Sequence, residues 1–486
     1  MRAHPRVLCV LLAALLPLPA LAATYTVGPS GRQYTQLATV FADNDLEPGD
    51  VVEVDGDASY EGGILVGDDD GGSAERPVVI RWRREAGATR PVLKGGVHTI
   101  KFSQSNHLLF EGFEVRGGSN SCIFSEAHDI TVRDVVIHAC PGHGILTADQ
   151  LSGSFTLEYS EVHDAGASSN RHPLYIQSDE VAYPEAVFRL RFNYIHDGNG
   201  GNLVKVRHQR SEIHYNWLEG SVYQAVELIG PDCWEQQKGW STELRREDAE
   251  LVGNVIIQSG EWPNAIRMGG DLNGRSQGRV RLVNNTIVFN RPGPANAVLV
   301  QLGAGSLEMH NNVVFQTGGE APAIVRENRV EDTPEPCGPA SSLAWSAGRK
   351  VAGSNNWVQE EASLVPAEWV GTLRGSDPGI GEVPRDLLRP RQDSELRGRA
   401  NLAPAAPAAF AFPAPLLVPA YEPPLQSRLP VGQQRRRDQV GLDIGAMGAV
   451  AGAVASEAAA PRKFRKSIAV GERPRFRKTR PDDEVP

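Results

Sequence analysis

A chain of 486 residues with a net charge of −10 is a poor electrostatic match for nucleic acid, and its five cysteines are too few for a disulfide scaffold. The core must therefore be hydrophobic. Length alone suggests about three domains, but 50 glycines and many short valine–isoleucine runs point to one repetitive β domain.

In chain order, Arg2 and Arg6 precede an apolar run from Val7 to about Ala22 that ends in small residues. That is the pattern of a secretory signal peptide over residues 1–22, so export to the periplasm or beyond is expected. Cys9 lies mid-run rather than at its end, which argues against a lipoprotein. No later run is long enough to span a bilayer, so no membrane insertion is expected. "YTQLATVFADN" (34–44) reads as an amphipathic cap, and "DVVEV" and "PVVIRW" as the first, irregular coils. The "GDDDGG" loop, with Asp68 to Asp70, is a candidate calcium site, although an acidic glycine-rich tip is more often solvated.

From here two kinds of short strand alternate. One kind includes Ile100-Lys101-Phe102, Ile123-Phe124-Ser125, Ile145-Leu146-Thr147, Tyr175-Ile176-Gln177, Val204-Lys205-Val206, Val226-Glu227-Leu228, Ile266-Arg267-Met268, Val298-Leu299-Val300 and Ile324-Val325-Arg326. The other includes "HLLFEGFEV", "SEIHYNWLE" and "RLVNNTIVF". Their closest spacing is 22 or 23 residues. A unit of that size cannot bury its own face, so successive units must stack. A column at one turn position, Gly112, Asp134, Ser160, Asn193, Asn216, Asn254, Asn285, Asn312 and Asn356, reads as an asparagine ladder, since asparagine tolerates the left-handed conformation and its amide bonds to copies above and below. The expected fold is all-β: a right-handed parallel β-helix, a single solenoid over residues 23–360 with an N-terminal cap and long loops over one face. A Pro- and Ala-rich extension (361–450) is expected to pack along it, and a basic tail (451–486) to be disordered.

Side chains alternate along a strand, so the residue after each inward one faces out. That column reads Lys101, Phe124, Leu146, Ile176, Lys205, Glu227, Arg267, Leu299 and Val325. Three charged residues thus occupy successive coils, with Arg207 on the strand and face of Lys205, and with His143 and His172 near the edge. The bland reading is a Lys–Glu–Arg salt-bridge ladder, worth little at a surface. Against it, long insertions after Leu146, Gln177, Leu228 and Met268 cluster on the same coils and would wall a groove. Within them Trp234 and Trp240 are suited to stacking on sugar rings, and His208 borders the cluster. Tyr175 falls in the inward column and is expected in the core. Cys122 with Cys140, or Cys233 with Cys337, could form a disulfide; neither pair suggests a thiol nucleophile.

The repeat from Tyr25 to Asn356 resembles the pectate-lyase-like β-helix superfamily, nearest to the alginate lyase and chondroitinase B family and its uncharacterised secreted relatives. The sharper resemblance runs through "HPLYIQ", "NLVKVRHQRSEIHYNWLEG", "GNVIIQSG" and "VNNTIVFN", with "LDIGAMG" near the end. It implies a Lys-x-Arg on one strand, which Lys205 and Arg207 match. In the characterised lyases a Lys and, one coil later, an Arg do the work; counted back from Asn216, those positions hold Arg207 and Ile229. "GHG" at Gly142 to Gly144 resembles the polygalacturonase type, but the aspartates that hydrolysis needs would fall near Asn120 and Ser121.

The resemblance implies β-elimination on a uronate polymer. The C6 carboxylate must be neutralised, which suits Arg207 or Arg267, and the C5 proton removed, which suits Lys205 if neighbouring cations depress its pKa. Glu227 opposes that by pairing with Lys205, while His172 could replace or assist it; His143, His208, Trp234 and Trp240 would bind substrate. No metal ligands are assigned, and calcium is the one candidate cofactor. The expected partner is an acidic polysaccharide and the expected state a monomer. The competing reading is a β-helix that binds acidic polysaccharide without turnover or serves structurally.

Overall fold

The structure, a computed structural model, describes residues 22–230, 247–270, 276, 278–301, 304–328, 350–382, 387–407, 409–438 and 441–449. The expected signal peptide, Trp234, Trp240, Cys233, Cys337 and the basic tail lie outside them. Three all-parallel sheets of ten, twelve and twelve strands run the length of the coil, each strand paired with its counterpart in the next turn. The chain is a right-handed parallel β-helix. Each coil supplies a first-kind strand to the ten-stranded sheet. The second-kind stretches split in two, as Leu108–Glu111 and Glu114–Arg116 do, to feed the twelve-stranded sheets.

Period-two alternation builds the core. Leu157, Leu190, Ile213, Leu251 and Leu282 stack in register and are all fully buried. The N-terminal end is closed by helix Leu37–Asp43, which turns Leu37, Val40 and Phe41 inward. Cys122 and Cys140 form a disulfide one coil apart. The third sheet runs on to Leu373–Gly375, past residue 360.

The turn between the two twelve-stranded sheets has two columns where the sequence reading placed one. Gly112, Asp134, Tyr159, Phe192, Tyr215, Gly253, Asn284, Asn311 and Asn355 take the left-handed conformation, with φ between 51° and 94°. The ladder asparagines stand one residue later and do not share it. Gly112 and Asp134 therefore belong to the left-handed column, and asparagine is selected at the next position for its amide. Asn216 Oδ1 accepts both the backbone and side-chain N–H of Asn193, each at 3.0 Å, and the pattern repeats through Asn254, Asn285, Asn312 and Asn356. Every ladder amide from Asn193 on is fully buried and satisfied.

The C-terminal stretch lies along this corner. The Ala420 N–H donates to Tyr215 Oη at 3.0 Å, Asn284 Nδ2 donates to the Asp443 carbonyl at 2.9 Å, and Tyr421 meets the stacked Phe192 and Tyr215 edge-on.

Candidate active site on the ten-stranded sheet

Strand pairing fixes the outward column of the ten-stranded sheet, and it differs from the sequence reading at two coils. Tyr175 pairs with Leu146 and with Lys205, so Leu174 and Ile176 point inward and Tyr175 points out. Val325 pairs with Val298, which puts Arg326 beside Leu299. Ile176 and Val325 are therefore core residues. The reason is local: in "HPLYIQ" two aliphatic residues flank the tyrosine, and burying both outweighs burying one ring with its hydroxyl. That alternation was the available signal for Tyr175.

The corrected column places Tyr175, Lys205, Glu227 and Arg267 on four successive coils. Lys205 Nζ lies 4.9 Å from the centroid of the Tyr175 ring and 3.6 Å from Glu227 Oε2. Arg267 Nη2 reaches Glu227 Oε1 at 2.5 Å. Glu227 is 2% exposed and also accepts Asn202 Nδ2 at 2.6 Å, so one buried carboxylate holds two cations and an amide. Lys205 and Arg267 keep 14% and 15% side-chain exposure. Arg207 is more deeply set. Its Nε donates to Tyr175 Oη at 3.0 Å and its Nη1 to the Gly230 carbonyl at 2.6 Å.

Two histidines complete the arrangement. His143 and His172 rings lie 5.9 and 5.2 Å from the Tyr175 ring. Burial, then Arg171, pushes His143 down to about 4. Burial, then Lys205, holds His172 well below the ordinary histidine value. Both are neutral at pH 7. His143 Nδ1 accepts the His172 backbone N–H at 3.1 Å, and His172 Nδ1 accepts that of Asn202 at 2.9 Å. The ring proton of each therefore sits on Nε2, making both donors rather than bases. Asn202 Oδ1 continues the series by accepting the Gln224 N–H at 3.2 Å. Asn202, which links His172 to Glu227, carries no sequence signal, because its role depends on the turn that brings it there.

His208 does not reach this face. It is 1% exposed, bonds to the Gly153 carbonyl at 3.1 Å, and burial pushes it down to about 4. The walls expected after Leu228 and Met268, with both tryptophans, fall largely outside the described residues. Asp70 turns back into its own loop, accepting the Gly67 N–H at 2.9 Å, and among the described residues no three His, Cys, Asp or Glu side chains gather in a metal-holding group.

No protein-family model and no curated protein matches the chain. Several solved structures do. The chain is similar to β-helical proteins that act on polysaccharides. A pectate lyase matches with 12% identity over 89% of this chain and 97% of its own, at a TM-score of 0.49. An alginate lyase from Paenibacillus sp. str. FPU-7 matches with 12% identity over 73% and 99%, at 0.38. The A-module of an Azotobacter vinelandii mannuronan C-5 epimerase matches with 13% identity over 67% and 91%, at 0.35. One of the three is not a lyase by name. The shared coil does not select a reaction, and the chemistry must be argued from this chain's own side chains.

Proposed function

We propose that this chain is an exported polysaccharide lyase that cleaves a uronate-containing polymer by β-elimination. One observation carries the reading: Tyr175 Oη accepts a hydrogen bond from Arg207 while the Lys205 ammonium lies over its ring, on an outward column with neutral imidazoles beside it. Lys205 is paired with the Glu227 carboxylate and lies over the Tyr175 ring. That suits it poorly as a base and well as a partner for the substrate carboxylate. Tyr175, by contrast, has one cation, Arg207, at its hydroxyl and another, Lys205, over its ring.

In the proposed step Lys205 and Arg267 bind the C6 carboxylate and acidify the C5 proton. The Tyr175 phenolate takes that proton, the C5–H electron pair becomes the C4–C5 double bond, and the C4–O4 bond breaks. The phenol returns its proton to O4, leaving an unsaturated uronate and a free hydroxyl. His143 and His172, as donors at Nε2, orient substrate oxygens. Arg207 holds the phenolic oxygen, and Glu227 positions both cations.

The test is a panel of alginate, polygalacturonate, chondroitin and dermatan sulfates, heparin and hyaluronan, followed by the ultraviolet absorbance of unsaturated uronate. A rise that disappears in Tyr175→Phe and Lys205→Ala supports the lyase; silence across the panel overturns it. The second reading, binding without turnover, is favoured by Glu227, whose carboxylate already offsets much of the cationic charge. Calorimetric binding of a panel member without absorbance change would select it.

A further inference from the structure

A second cationic site stands at the corner between the two twelve-stranded sheets, away from the sheet that carries Tyr175. Asp134, 3% exposed, is met there by three guanidiniums. Arg90 Nη2 lies 2.7 Å from its Oδ1, Arg84 Nη2 lies 2.5 Å from its Oδ2, and Arg428 reaches Oδ1 from the C-terminal stretch. Arg84 also touches Glu111 at 3.4 Å. Arg84 and Arg90 lie 4.9 and 5.5 Å from the centroid of Trp82. These groups, with Thr89, Pro430 and Val431, line an open cavity of about 540 Å³.

A clasp holding the C-terminal stretch to the coil would need one arginine on one carboxylate. Here three guanidiniums converge on one buried carboxylate, with Glu111 beside Arg84 and Glu161 near Arg428, on a chain whose overall charge is negative. Burial, then Arg90, lowers the Arg428 pKa, while Asp134 and Glu161 raise it. Each guanidinium carries about five N–H donors in a planar fork, more in total than the Asp134 carboxylate, the Asp134 carbonyl and Glu111 accept. The volume falls within the range of about 300–1,000 Å³ usual for small-molecule sites. Guanidinium forks beside an indole and an apolar Pro430–Val431 lip match a sugar ring that bears a carboxylate, since a ring offers an apolar face and an acid edge together.

We propose that the cavity formed by Trp82, Arg84, Arg90 and Arg428 is a second carbohydrate site that binds a uronate residue of an acidic polysaccharide. The inference holds whether or not the ten-stranded face turns substrate over. The C-terminal stretch, by supplying Arg428, Pro430 and Val431, is then part of a binding site as well as a cover for the turn corner.

Calorimetric titration of the mature full-length chain tests this, with tetragalacturonate and tetramannuronate as probes and cellotetraose and sodium sulfate as controls. The titrations are repeated in a Lys205→Ala/Arg267→Ala double variant, so that loss of groove binding is separated from loss at the corner. Binding of at least one oligouronate should survive in that double variant. It should weaken at least tenfold on adding Arg84→Gln or, at a position that pairs with no buried charge in the cavity, Val431→Glu, and cellotetraose should not bind. Oligouronate binding indifferent to both additions overturns the proposal, as does complete loss of binding in the groove variant. Sulfate binding as tightly as the oligouronates would mark a general anion site and overturn the sugar assignment.

Discussion

Two stacked columns run along this coil, and they obey opposite rules. At the turn corner each asparagine repeats its neighbour from Asn193 to Asn356, neutral, buried and satisfied by its own copies. On the ten-stranded sheet Tyr175, Lys205, Glu227 and Arg267 differ at every coil, and a buried carboxylate is held between cations. A column that repeats exports its hydrogen bonds to identical units and stabilises the stack. A column that changes residue type at each coil gains nothing from repetition, and burying charge there costs free energy. Such a cost is tolerated where a site is built, which is why the irregular column is the one proposed to carry chemistry.

The comparison breaks first on activity. Tyr175→Phe removes one oxygen from the changing column and should lower turnover by about 10²–10⁴-fold, with far-ultraviolet circular dichroism and melting temperature nearly unaltered. A comparable loss of fold would put Tyr175 with the structural residues. In the repeating column the opposite holds. Asn254→Ala removes the acceptor of the buried Asn216 backbone N–H, one acceptor of the Asn216 amide and the amide donor to the Ile213 carbonyl, a destabilisation on the order of 3 kcal/mol in denaturant melts, while activity per folded molecule stays level. An Asn254→Ala protein as stable as the parent would show the ladder to be ornamental.

Acid pH sharpens the contrast more gently. His143 and His208 are both pushed down to about 4 from the ordinary 6.5. Between those values the unfolded chain binds protons that the folded chain refuses. Stability should therefore be level above about pH 6.5 and fall as pH drops toward 4, by at most about 1.4 kcal/mol per pH unit for each histidine. Melts of His143→Asn across that window should lose part of the slope; an unchanged slope would show that His143 titrates normally. The smallest effect is expected at Lys101, in the same outward column three coils before Tyr175. Its partly exposed bridge to Glu126, at 2.6 Å, should contribute under about 1 kcal/mol, and Lys101→Ala should leave turnover unaltered.

Much of the fold was legible because a solenoid writes its architecture into a local period. Spacings of 22 or 23 residues, alternating apolar positions and recurring asparagines each follow from neighbours in sequence. Lys205, Glu227 and Arg267 were legible as one column for the same reason. Tyr175 was misplaced by a one-residue slip in register, which exchanges core and surface for a whole strand. The slip arose because tyrosine is apolar enough to pass for core when a strand is aligned by type alone.

What the sequence by itself determined is the repeat, the stacking and the outward placement of the three charges, since all rest on periods of two residues and of one coil. Tertiary structure decided which of those charges face one another and what else joins them. The pairing of Leu174 and Ile176 with the core turned Tyr175 outward, and a turn brought Asn202 between His172 and Glu227. At the far corner Arg428 met Asp134 across 294 residues of chain. Contacts of that kind depend on loop paths and long-range burial, which no local pattern encodes.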